Sequence, residues 1–197
     1  ENYFIENDQT PQWYPNLFSG MPSYGGYIYT NGDPTKFLRN EILFNPGLKI
    51  WFYLSLSGIG MFVLLRLIGI SRNSALLGGL ISALTPYTFG LINAGHLNKI
   101  FAMSYIPWVM CAAFYCIQNV TLRSILLLSL ATALQLWANH PQIAYYTWMV
   151  IGFYFVWQVG ILLKDRQSSI QNTLYPFAGI IVALVIALFM VSDPYID

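Results

Sequence analysis

The sequence predicts an all-α, polytopic transmembrane helical bundle of about six spans, preceded by a long N-terminal extracytoplasmic loop. Two observations carry this. Of 197 residues, 56% are hydrophobic and only 9% are charged, against roughly 25% charged in an ordinary soluble domain. The charges also cluster, leaving uncharged apolar runs near the roughly 18 residues or more that a bilayer core of about 30 Å requires.

Residues 1–47 form the loop. They are polar and aromatic, and turn formers recur at Thr10-Pro11, Ser19-Gly20-Met21-Pro22, Gly25-Gly26, Asn31-Gly32-Asp33-Pro34 and Asn45-Pro46-Gly47. One short helix is expected near residues 35–43. The region 48–197 then holds six hydrophobic segments, at about 48–70, 75–92, 100–117, 122–137, 143–163 and 174–191. Pro86 and Pro107 fall inside the second and third and mark possible kinks. The connections are a few residues long, so neighbouring spans run antiparallel and alternate loops lie on alternate sides of the bilayer.

Charge orients the bundle. The loops after the first, third and fifth spans carry Arg66, Arg72, Arg123, Lys164 and Arg166 against the single acid Asp165, which places them in the cytoplasm. Lys36, Arg39, Lys49 and Lys99 share the other side with Glu1, Glu6, Asp8, Asp33, Glu41, Asp193 and Asp197. Asn119-Val120-Thr121 fits a glycosylation sequon but lies on the cytoplasmic side in this arrangement, so it reads as a chance match. The chain starts at Glu1 without a signal-peptide pattern and stops just past a hydrophobic run, which reads as an internal fragment of a longer protein.

Several functions are excluded. A net charge of +1 without a basic run offers nothing to nucleic acid. Cys111 and Cys116 share one span but lie on different helix faces, so they are packing residues and neither a disulfide nor a metal pair. No zinc motif, phosphate-binding glycine loop or nucleophile elbow is present. No charged residue lies mid-span, where proton- and ion-coupled transporters normally keep an ionisable group or a broken helix.

Three features converge on the outer face. The loop carries Trp13, Tyr14, Phe18, Tyr24, Tyr27 and Tyr29 with Asp8, Asp33, Lys36 and Arg39. Aromatic faces among acids suit stacking on sugar rings, and interfacial anchoring at headgroup level gives the same composition. In Asn93-Ala94-Gly95-His96-Leu97-Asn98-Lys99, Asn98 is expected to cap the third span, whose first N–H groups would join His96 and Lys99 around a phosphate or pyrophosphate. A snorkelling Lys99 beside a surface His96 is the plainer alternative. In Asn139-His140-Pro141-Gln142, Pro141 suits a first helical turn and brings a second helix N-terminus and a second histidine to the same side; alone it is only a polar turn.

In these loops the sequence resembles the bacterial YfhO family of large membrane proteins, in the form typical of the Bacteroidetes. The resemblance rests on Pro11-Gln12-Trp13 with Phe18-Ser19-Gly20-Met21-Pro22-Ser23-Tyr24, on Ala94-Gly95-His96-Leu97-Asn98-Lys99 with Ile106-Pro107, and on Asn139-His140-Pro141-Gln142-Ile143-Ala144-Tyr145-Tyr146. That family is similar to GT-C glycosyltransferases, which transfer a sugar from a polyprenyl-phosphate donor to an extracytoplasmic glycan or protein acceptor at the bacterial inner membrane. The resemblance implies donor binding by His96, Lys99, His140 and Gln142, and substrate contacts from Trp13, Tyr24, Lys36 and Arg39. It implies a catalytic carboxylate, acting as base or beside a divalent metal, that belongs just upstream of Glu1, with Asp8 as a weak stand-in. The rival readings are a transporter or lipid flippase gated by the outer loop, and a non-catalytic envelope assembly protein.

Overall fold

A computed structural model describes residues 13–14, 21–22, 34–164 and 170–192; residues 13–14, 21–22, 162–164 and 170–174 are described by their backbone alone. The described chain is helical except for one antiparallel pair, β1 (Trp13–Tyr14) and β2 (Met21–Pro22), in which Trp13 faces Pro22. A short helix, α1 (Thr35–Phe37), runs on into a π-helical turn over Leu38–Ile42.

Helix α2 (Pro46–Leu67) starts where the local chemistry directs. The Asn45 side chain accepts the Gly47 N–H at 2.7 Å, and Pro46 occupies the first position, where its missing N–H costs nothing. It ends at Gly69, whose φ of 88° lets Gly69 N–H reach Arg66 O at 3.1 Å and Ile70 N–H reach Leu65 O at 2.9 Å. This pair of bonds satisfies the carbonyls a helix end leaves open. Ser71 then caps α3 (Arg72–Ala83).

The second and third hydrophobic segments are broken at the prolines that marked kinks in the sequence. The second divides into α3 and α4 (Pro86–Asn93), and the third into α5 (Leu97–Ser104) and α6 (Ile106–Gln118). The proline rings are the cause. Thr85 is extended at ψ 135° because a residue before proline is pushed out of the helical region, and Pro107 has no N–H to continue the ladder through Tyr105. Hydropathy runs unbroken across both joints. Taken across them, Pro46–Leu67, Arg72–Asn93 and Leu97–Gln118 are each 22 residues long and apolar enough to cross a membrane, about 33 Å at the helical rise.

The remaining helices are α7 (Leu122–Trp137), α8 (Pro141–Lys164) and α9 (Ile170–Met190, with Pro176 inside). Thr121 opens α7 through a reciprocal cap: Ser124 N–H donates to Thr121 Oγ1 at 3.2 Å, and Thr121 N–H to Ser124 Oγ at 2.9 Å.

Helices α2 and α3 form a hairpin held by small residues. A Cβ at Gly79 would lie 2.7 Å from Gly58 O, and the Ser57 and Ser82 hydroxyls meet at 3.0 Å. Such close backbone approach is the packing device of apolar helices, which gain little from hydrophobicity when lipid surrounds them. The other face of α2 packs on α5 and α6, and α7 packs on α6 and α9. Tyr53 of α2 is 1% exposed and stacks on Phe101 of α5 with ring centroids 4.1 Å apart. Leucines, phenylalanines and valines such as Leu77, Leu80, Phe153, Val156 and Phe189 cover the outside, as a lipid-facing surface would.

Candidate functional site

The turn between α4 and α5 explains why Asn98 is not the cap. Gly95 takes φ 74°, so Gly95 N–H bonds Ile92 O and His96 N–H bonds Leu91 O, both at 3.0 Å. That closing motif of α4 consumes the turn within two residues. His96 therefore becomes the residue before α5, without a side-chain cap bond, and Asn98 lies exposed inside the first turn. Lys99 is half-buried, with Nζ 5.3 Å from the centre of the Tyr87 ring on α4. This cation–π contact keeps the ammonium beside the loop.

The turn between α7 and α8 is built in a similar way with asparagine in place of glycine. Asn139 adopts φ 55°, a conformation asparagine tolerates, and its N–H bonds Leu136 O at 2.9 Å. His140 follows, and Pro141 opens α8. His140 Nδ1 is enclosed and has no hydrogen-bond partner among the described residues. Burial holds the His140 pKa below the ordinary histidine value; the positive charge of Lys99 and, more weakly, His96 act in the same direction, against an interaction with the residue's own backbone that raises it. The structure therefore brings His96, Lys99 and His140 to one end of the bundle.

A third element reaches this end. Arg39, 9% exposed, donates from Nη1 to Trp137 O at 3.2 Å. It thereby ties the π-helical turn to the last turn of α7, where a cation meets the negative end of the helix dipole. Arg39 is thus a clasp between elements, a role the sequence alone did not reveal. Lys36 is half-buried on the preceding turn. Gln142 is exposed and donates to Tyr146 Oη at 2.7 Å along its own helix. Trp13 lies in β1, with its side chain outside the described residues, as are Asp8 and Tyr24 altogether. Among the described residues no three His, Cys, Asp or Glu side chains gather as a metal would need.

Below Lys99 a cavity of about 380 Å³ opens between α2, α3 and the two broken segments. Leu54, Met61, Leu65, Ile81, Met103 and Ile106 give it an apolar wall, and Thr85 and Pro107 place both helix breaks on it. Its hydroxyls are largely satisfied within the protein: Ser57 pairs with Ser82, and Ser104 Oγ donates to Ile100 O at 2.8 Å. Its lining residues carry no charge. Ile100, the residue after Lys99 on α5, forms part of the wall, so the helix that carries Lys99 also lines the cavity. The chain matches no family model, no curated protein and no solved structure.

Proposed function

We propose that this chain contributes about six spans to a larger protein of the bacterial inner membrane that binds a lipid-linked phosphate at its extracytoplasmic end, in the manner of a GT-C glycosyltransferase. The observation that carries this reading is the gathering of Lys99, His96 and His140 at one end of the bundle, where α5, the helix that bears Lys99, also lines an uncharged cavity through Ile100. An anionic headgroup is favoured by the cations and by the exposed helix ends, and a chain of methylenes or isoprene units by an apolar wall. The cavity wall on α2 runs from Leu54 to Leu65, about 16 Å of helix, which suits a tail lying along it. Arg66, Arg72 and Arg123 lie at the other ends of their helices, which supports cytoplasmic placement of that side.

In this reading Lys99 and the histidines stabilise charge that develops on the leaving phosphate. The carboxylate that deprotonates the acceptor hydroxyl is supplied by residues outside those described, Asp8 among the candidates. The polyprenyl-phosphate sugar is the donor and an extracytoplasmic glycan or protein the acceptor. Lys99→Ala in the full-length protein is expected to reduce sugar transfer from a lipid-linked donor strongly; unchanged turnover would remove the phosphate role.

One observation favours a second reading, a transporter or lipid flippase. The breaks at Thr85–Pro86 and Tyr105–Pro107 both face the cavity, and interrupted helices are how transporters form sites within the bilayer. Flux through reconstituted full-length protein without a glycosyl product would select it.

A further inference from the structure

One amide lies in the core beneath the cationic end. Gln135 of α7 is fully buried. Its Nε2 donates to Ala102 O at 3.2 Å and to Thr147 Oγ1 at 2.9 Å. Thr147 in turn donates to Ile143 O at 2.8 Å within α8. A single side chain thus connects α7 to α5 and to α8.

The two attachment points sit directly below the site. Ala102 is one turn beyond Lys99 on α5, and Thr147 is two turns beyond His140 on α8. The contacts also determine which way the amide faces: both acceptors take the NH₂ group, leaving Oε1 without a partner among the described residues. Thr132 Oγ1, one turn away on α7 and also fully buried, likewise has none among the described residues. A buried amide with an unpaired oxygen is a poor source of stability. What it supplies is register, since only one alignment of three helices lets Nε2 reach both acceptors.

We infer that Gln135 is a positioning residue that sets α5 against α8 so that Lys99 and His140 face the same small volume. Arg39 does the corresponding work from above, fastening the π-helical turn to Trp137 O three residues before His140. The consequence for a bound anion rests on the proposed function; the alignment itself does not.

The chain has two histidines, and in isotope-labelled protein in lipid nanodiscs each gives an imidazole titration, assigned by its loss in His96→Gln or in His140→Gln. In the parent, Lys99→Met is expected to raise the His140 midpoint, because a nearby positive charge is removed. Gln135→Leu should itself move that midpoint up by about half a pH unit or more, as burial and the like charge both weaken. In the Gln135→Leu background, Lys99→Met should then have little further effect. Leucine leaves the Thr147 hydroxyl still bonded to Ile143 O. Should Gln135→Leu lose its helical circular dichroism, Thr147→Val carries the test, with a smaller shift in the same direction because the Ala102 contact survives. A His140 midpoint that stays put in these variants, with the Lys99 effect intact, overturns the positioning role. Inorganic phosphate separates the two ideas: it should perturb both histidines in the parent and bind several-fold more weakly to Gln135→Leu. Phosphate that moves neither histidine in the parent overturns the anion site, and the ligand-free titrations still decide the alignment.

Discussion

Trp108 Nε1 donates to Leu56 O across 3.0 Å, and the space for its ring exists because residue 60 is glycine. A Cβ at position 60 would fall 2.6 Å from Trp108 Nε1 and 2.9 Å from Pro107 Cγ. The contact joins α2 to α6 at the break that lines the cavity. Gly60→Ala is therefore expected to destabilise the bundle by about 1–3 kcal/mol. Trp108→Ala in the same chain should recover part of the loss, since both ring atoms the methyl meets, Nε1 and Cδ1, are gone. Thermal unfolding in detergent followed by circular dichroism checks this; strictly additive losses would contradict it.

The α2–α3 hairpin gives a second prediction. Ser57 and Ser82 are in contact at 3.0 Å between their oxygens, so Ser57→Cys with Ser82→Cys, in a chain whose Cys111 and Cys116 are replaced, should cross-link readily under mild oxidation. Adding Gly79→Ile pushes against Gly58 O and should slow that cross-link severely. Mobility of the linked and unlinked chains on gels gives the readout, and equal rates would contradict the close crossing.

Some of this architecture was legible in the residues and some was not, for physical reasons. Apolar runs and short polar breaks locate the helices, and α7 shows its limits because Thr121 caps it and Asn139 ends it with a local backbone preference. The joints at Thr85 and Tyr105 interrupt the backbone ladder without interrupting hydropathy, so only Pro86 and Pro107 hinted at them. The Asn98 cap failed because Gly95 closed α4 so tightly that α5 began at Leu97. Arg39 on Trp137 O, Lys99 over Tyr87 and Gln135 on Ala102 and Thr147 pair residues from separate helices, and nothing in their spacing along the chain announces such partners.

The turn at Asn139 provides a third test. At φ 55° a β-branched residue is strained by about 1–2 kcal/mol, so Asn139→Val should lower the melting temperature, whereas Asn139→Gly should be close to neutral at this backbone angle. Comparison of the two variants by thermal unfolding decides it; equal behaviour would contradict the left-handed turn.

The pH dependence follows from His140. Its folded-state pKa lies below the ordinary histidine value because burial, Lys99 and His96 disfavour the imidazolium. The unfolded chain therefore takes up its proton first as pH falls. The contribution of His140 to stability is complete above the ordinary histidine range and declines as pH drops from there toward the folded midpoint. Lys99→Met should narrow that window from below, raising the folded midpoint. Melting temperatures of parent and variant across mildly acidic pH measure this; an identical pH profile for both would contradict the proximity of Lys99 to His140.

The most direct test asks whether the two histidine-bearing turns reach one aqueous surface across a membrane. In cysteine-free full-length protein in cells, His96→Cys and His140→Cys should both react with a membrane-impermeant maleimide added from the periplasm. Arg72→Cys and Arg123→Cys should react only after the membrane is permeabilised. Labelling of positions 96 and 140 on opposite sides, or recovery of the protein in buffer without detergent, would contradict the account.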